Sequence, residues 1–121
     1  MTTPFRGIVP PVLTPLTTEG EVDVASLERL VDHLVTEGVH GLFVLGSTGE
    51  VAYLTDAQRD VVVRTVVRTA AGRVPVMGGA IDLTTARVVE QAKALVAGGV
   101  DAVVAAAAGG ARGGRGGGAR R

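Results

Sequence analysis

The residues best suited to chemistry stand together at Gly46-Ser47-Thr48-Gly49-Glu50, directly after an apolar run over residues 41–45. Two short hydroxyls side by side can donate hydrogen bonds to an anion. The flanking glycines let a backbone turn tightly and offer its N–H groups to the same anion. Such a loop suits a carboxylate or a phosphate. It has no P-loop lysine and departs from G-x-G-x-x-G, so nucleotide binding is disfavoured. The same five residues also serve as a plain turn between a strand and a helix, and their types alone leave both readings open.

Other reactive side chains are sparse. Lys93, the only lysine, falls in mid-helix on a face expected to be solvated. That makes it a surface residue rather than an amine of depressed pKa in a closed site. His33 lies off the apolar stripe of its helix and His40 precedes a strand. With no Cys and no carboxylate at ligand spacing, no metal site is expected. Tyr53 could overhang the loop, although ordinary packing is the simpler role, and Asp82 could line the same rim.

The elements that must position the loop follow from periodicity. Short Val- and Leu-rich runs over 41–45, 74–77 and 101–104, bounded by Gly, suit strands buried on both faces. A further run over 8–13 is broken by Pro10-Pro11 and should be short or irregular. Between the runs lie helical patterns. Asp23 caps a helix whose apolar face carries Leu27, Leu30, Val31 and Leu34, and Gly38 stops it. The capping box Thr55-Asp56-Ala57-Gln58 opens a second helix, which runs through Val62, Val63 and Val66 to Gly72. A third, capped by Thr84 or Thr85, ends at Gly98-Gly99. This alternation is that of parallel (β/α) units in an α/β fold, either an open doubly wound sheet or a barrel. In both, sites form at the C-terminal ends of strands, where residues 46–50 fall.

Composition divides the chain. All twelve Asp and Glu lie in residues 1–104, whereas residues 105–121 are only Ala, Gly and Arg. The net charge of zero is thus the sum of a mildly acidic body and a basic tail holding Arg112, Arg115, Arg120 and Arg121. Gly and Ala supply too little side-chain surface to offset the entropy of ordering them, so the tail is expected to be disordered. GC-rich codons read out of frame also yield Ala, Gly and Arg, which makes a shifted reading frame the favoured origin. The alternative is a non-catalytic βα module whose Arg/Gly tail binds nucleic acid, although the tail has no aromatic for base stacking. The absence of Cys, of a long apolar span and of a basic-apolar leader makes the cytoplasm the default location and leaves no membrane partner expected.

Taken together, Gly46-Ser47-Thr48-Gly49-Glu50, Leu54-Thr55 and Gln58-Arg59 closely resemble the dihydrodipicolinate synthase / N-acetylneuraminate lyase family. The opening Gly7-Ile8-Val9-Pro10-Pro11-Val12-Leu13-Thr14-Pro15 looks like that family's first strand. Gly72-Arg73-Val74-Pro75-Val76-Met77-Gly78-Gly79 looks like its third strand and the turn after it. The resemblance covers about residues 4–104 and implies the N-terminal half of a TIM (β/α)8 barrel. It implies class I aldolase or lyase chemistry on pyruvate or a related 2-oxo acid, through a Schiff base to lysine. No metal or organic cofactor is implied, and the intact family forms homo-oligomers. By the same resemblance Ser47 joins a proton relay with a tyrosine. Thr48, with its neighbouring backbone N–H, holds the substrate carboxylate, and Gly49 permits the backbone's approach. Glu50 is expected to be structural, bonding nearby backbone. Where the family carries a Pro-Tyr segment, this sequence reads Ala106-Ala107-Ala108-Gly109-Gly110, and the family's lysine lies further along. The chain alone is therefore expected to be inactive. Half a barrel also leaves strand edges unpaired, so it is expected to be unstable, aggregated or paired with a second copy.

Overall fold

The computed structural model describes residues 6–107, and the Gly/Arg-rich run from 108 onward lies outside them. Helix α1 spans Val24–Thr36, strand β1 Leu42–Val44, helix α2 Asp56–Ala70, strand β2 Val76–Asp82, helix α3 Thr85–Gly98 and strand β3 Ala102–Ala107. A single 3₁₀ turn, Val51–Tyr53, lies between β1 and α2. Each helix starts at its local signal. Asp23 accepts from the Ser26 N–H, Thr55 and Gln58 form the reciprocal capping box, and Thr84 accepts from the Arg87 N–H. Each cap satisfies a donor that the first turn would otherwise leave unpaired.

The sheet is wholly parallel in the order β1-β2-β3. Residues 8–12 run along the free side of β1. The His40 N–H donates to the Ile8 carbonyl at 2.8 Å, Phe43 to Pro10 at 3.0 Å and Val12 to Phe43 at 2.8 Å. Only the Pro11–Phe43 pair forms a bridge there. Proline is the reason: Pro10 faces β1 and has no N–H to give, whereas the N of Pro11 points away from it.

This order fits a barrel. Strands follow one another across the sheet without reversal, and right-handed crossovers then place every connecting helix on one face. The core lies between that face and the helices, around Leu27, Val31, Leu42, Val44, Val62 and Val66. The opposite face carries no helix among the described residues, as the inside of a barrel requires.

Two strands run further than their sequence implies. β2 continues past Met77 through Gly78 and Gly79 to Asp82, where a turn was expected. Side chains alternate across a strand, so Val76, Gly78, Ala80 and Asp82 face the helices while Gly79 faces the barrel side. A Cβ on Gly78 would press on the Leu95 side chain, and one on Gly79 would overlap the backbone carbonyl of Leu45. These glycines are sites of close approach rather than turn formers. β3 likewise continues from Val104 through Ala105, Ala106 and Ala107, which pair with Ala80, Ile81 and Asp82. The ladder to β2 supplies the order that alanine's weak strand preference does not.

Gly79→Ala should destabilise the fold by about 1–3 kcal/mol, because backbone must move to admit the methyl group. Gly78→Ala should cost less, since Leu95 can change rotamer. Thermal melts of the two variants check the order; equal melting temperatures would contradict it.

Candidate active site

β1 ends abruptly. Leu45, its side chain buried, takes a left-handed conformation at φ 61°, and Glu50 takes another at φ 58°. A bulky residue in this region costs on the order of 1–3 kcal/mol. Burying the Leu45 side chain returns a comparable amount, about 1.5–3 kcal/mol. Between these residues the chain makes a compact turn. The Gly49 N–H donates to the Gly46 carbonyl at 3.0 Å and Glu50 donates to Ser47 at 2.9 Å.

The left-handed positions of the turn fall on Leu45 and Glu50 and not on its glycines. Their contribution is space. Gly49 is buried, and a Cβ on it would stand 3.1 Å from the Val12 carbonyl and 3.3 Å from the Thr14 hydroxyl oxygen. A Cβ on Gly46 would strike the Phe43 ring.

Turn geometry decides what remains available. The carbonyls of Gly46 and Ser47 are used internally, while the N–H groups of Ser47 and Thr48 meet no acceptor among the described residues. Both residues are exposed, and their hydroxyls are likewise unpaired there. The structure thus brings Ser47, Thr48 and Gly49 together at the C-terminal rim of the sheet, with donors that can converge on one anion. Thr14, at the end of the neighbouring N-terminal segment, adjoins Gly49. The sequence signalled it only as part of a Thr-Pro strand ending.

Other candidates fall elsewhere. Glu50 is exposed, and its carboxylate makes no hydrogen bond among the described residues, so it does not brace nearby backbone. Tyr53 does not pack, being 83% exposed at the end of the 3₁₀ turn. Lys93 stands exposed on α3, 3.9 Å from Glu90. His33 is exposed in the last turn of α1, and His40 Nδ1 accepts from the Ile8 N–H at 2.9 Å. No three His, Cys, Asp or Glu side chains form a metal-binding group among the described residues. No helix there is long and apolar enough to cross a membrane.

Asp82 is not on the rim, because the strand's alternation turns it toward the helices. Its carboxylate accepts from Arg87 Nε at 2.9 Å, pairs with Arg59 at 3.4 Å and accepts from the Leu83 N–H at 2.8 Å. Arg87 also reaches Asp56 at 3.0 Å, and Gln91 donates to the same oxygen of Asp56 at 2.9 Å. Arg59, nearly all buried, donates to the Val51 carbonyl at 3.0 Å and the Ile81 carbonyl at 3.4 Å. It therefore fastens the segment after the turn to the end of β2.

Sequence and structure comparisons place the chain in a family. The dihydrodipicolinate synthetase family model matches residues 4–107, and the chain belongs to that family. It is 48% identical over 82 residues to the 4-hydroxy-tetrahydrodipicolinate synthase of Jannaschia sp. (strain CCS1), covering 68% of this chain and 28% of that protein. A prophage protein of the dihydrodipicolinic acid synthase family from E. coli K12, solved in complex with pyruvate, superposes with a TM-score of 0.80 at 35% identity. That match covers 84% of this chain and 34% of the other. The N-acetylneuraminate lyase of Mycoplasma synoviae gives a TM-score of 0.77 at 31% identity, covering 84% and 35% of the two chains. The fold is accordingly the N-terminal part of a (β/α)8 barrel. The chain spans about a third of the length of the relatives it matches.

The carboxyls of Asp82 and Asp56 are held below their ordinary value near 3.8. The Leu83 N–H is the leading cause for Asp82 and the Gln91 amide for Asp56, with Arg87 adding to both. A carboxylate whose pKa is lowered in the fold contributes stability above its unfolded value and loses it as pH falls through the folded one. Melting temperature should therefore drop as pH is lowered below about 4. Asp82→Asn should lower it at neutral pH and flatten the acid limb. An unchanged acid limb in that variant would contradict the assignment.

Proposed function

We propose that this chain supplies the carboxylate-binding part of a Schiff-base-forming (class I) aldolase or lyase of the dihydrodipicolinate synthase type, acting on pyruvate or a related 2-oxo acid. The observation that carries this reading is the turn after β1, where two unpaired N–H groups and two exposed hydroxyls stand together at the strand-end rim. Pyruvate in the related prophage protein's structure supports the substrate class.

In this reading Thr48 and the adjoining backbone N–H hold the substrate carboxylate, and Gly49 permits the backbone's close approach. The 2-oxo carbon then stays open to attack. A lysine amine adds there and water leaves, which gives a protonated imine whose positive charge favours loss of a proton from the neighbouring carbon. We assign to Ser47, exposed in the same turn, the hydroxyl that passes protons together with a tyrosine. Lys93 cannot serve as the amine, because it stands in solvent on α3 rather than at a strand end. The chain alone therefore binds the 2-oxo acid without turning it over.

Calorimetric titration with pyruvate tests the reading. Thr48→Val should weaken binding by roughly tenfold or more, the worth of one hydrogen bond to a charged group, and Ser47→Ala should weaken it less. Borohydride added with pyruvate should leave the mass of the Lys93 peptide unchanged. Binding indifferent to Thr48→Val would sink the carboxylate assignment, and a reduced adduct on Lys93 would overturn the lack of turnover.

A further inference from the structure

We infer that Thr14 is a third hydroxyl of the carboxylate site, donating from the N-terminal segment to the same 2-oxo acid that the Ser47-Thr48 turn holds. The inference rests on the functional reading above and adds a binding residue to it. Thr14 is only 8% exposed, yet it makes no hydrogen bond among the described residues. Its oxygen is not sealed off, since Arg59 Nε is the one buried side-chain atom left without a partner among the described residues, so a ligand can reach the hydroxyl. Its oxygen lies 3.3 Å from where a Cβ on Gly49 would stand, so the hydroxyl faces the turn across the gap that this glycine leaves open.

The hydroxyl is also held in place. Two residues before it, the Val12 N–H donates to the Phe43 carbonyl at 2.8 Å. One residue after it, the Pro15 carbonyl accepts from the Asp23 N–H at 2.8 Å. Thr14 precedes a proline, which restricts its backbone to extended conformations, and its branched Cβ restricts χ1. A donor fixed before the ligand arrives loses little freedom on binding. The packing around Thr14 thus sets its hydroxyl beside Gly49 with no protein partner, where a ligand carboxylate oxygen can take the place of water.

The test is pyruvate titration of the full chain and three variants, with melting temperature as the check on folding. Thr14→Val, equal in shape but without the hydroxyl, should raise the dissociation constant at least fivefold. Thr14→Ser should restore it to within about twofold. Thr48→Val serves as the reference for the reading on which the inference rests. If Thr48→Val weakens binding and Thr14→Val does not, Thr14 is excluded while the site stands. If the unaltered chain binds no pyruvate, both fall. Should Thr14→Val fail to fold, the Thr14 methyl resonance of the unaltered chain decides. It should shift with the same midpoint as the Thr48 amide, and a stationary signal overturns the inference.

Discussion

The close approach of the Leu45 carbonyl to Gly79 is the contact on which the rest of the site depends. Leu45 leaves β1 in a left-handed conformation that a leucine adopts only when its surroundings hold it there. β2 provides the hold, because Gly79 presents no side chain on the barrel side just where that carbonyl arrives. The reversal at Leu45 starts the turn that turns the Ser47 and Thr48 N–H groups outward. A strained backbone residue at the mouth of a strand is thus the means by which two common hydroxyl residues become a fixed set of donors.

A second device keeps that turn from spreading. Arg59 reaches from α2 to the Val51 carbonyl on one side and to Ile81 and Asp82 on the other, joining two successive strand-end loops. Its charge is buried, and burial of this kind is tolerable only when paired. Asp82 provides the pairing, and Arg87 and Asp56 continue it outward to solvent. The alternation of β2 separates the two layers: the Asp82 side uses charge for cohesion, whereas on the rim the Ser47 and Thr48 hydroxyls stay unpaired and the exposed Glu50 carboxylate makes no hydrogen bond among the described residues. A ligand carboxylate therefore meets donors that no neighbouring acid already occupies.

How much of this could be read from the sequence depended on how local the cause was. The helices were legible because their caps and stops lie within a few residues of each other, as with Asp23 and Ser26 or Thr55 and Gln58. The turn's position was legible from residue types and from the family resemblance. The length of β2 was not, because Gly78-Gly79 reads as a turn unless one knows that Leu95 and Leu45 come against it. Asp82 was misplaced for the same reason, since its side of the sheet follows from how far the strand runs. The left-handed residues were hidden too: two glycines invite that assignment, yet Leu45 and Glu50 take it under tertiary constraint. Thr14 gains its meaning only beside Gly49, which a distant part of the sequence supplies.

The most direct measurement of the central claim is a pyruvate titration of the ¹⁵N-labelled chain, followed residue by residue. The account predicts saturable shifts at the Ser47 and Thr48 amides with one shared midpoint, while amides along the exposed face of α3 around Lys93 stay still. Saturable shifts centred on α3 or on the arginine-rich run, with the turn unmoved, would contradict it.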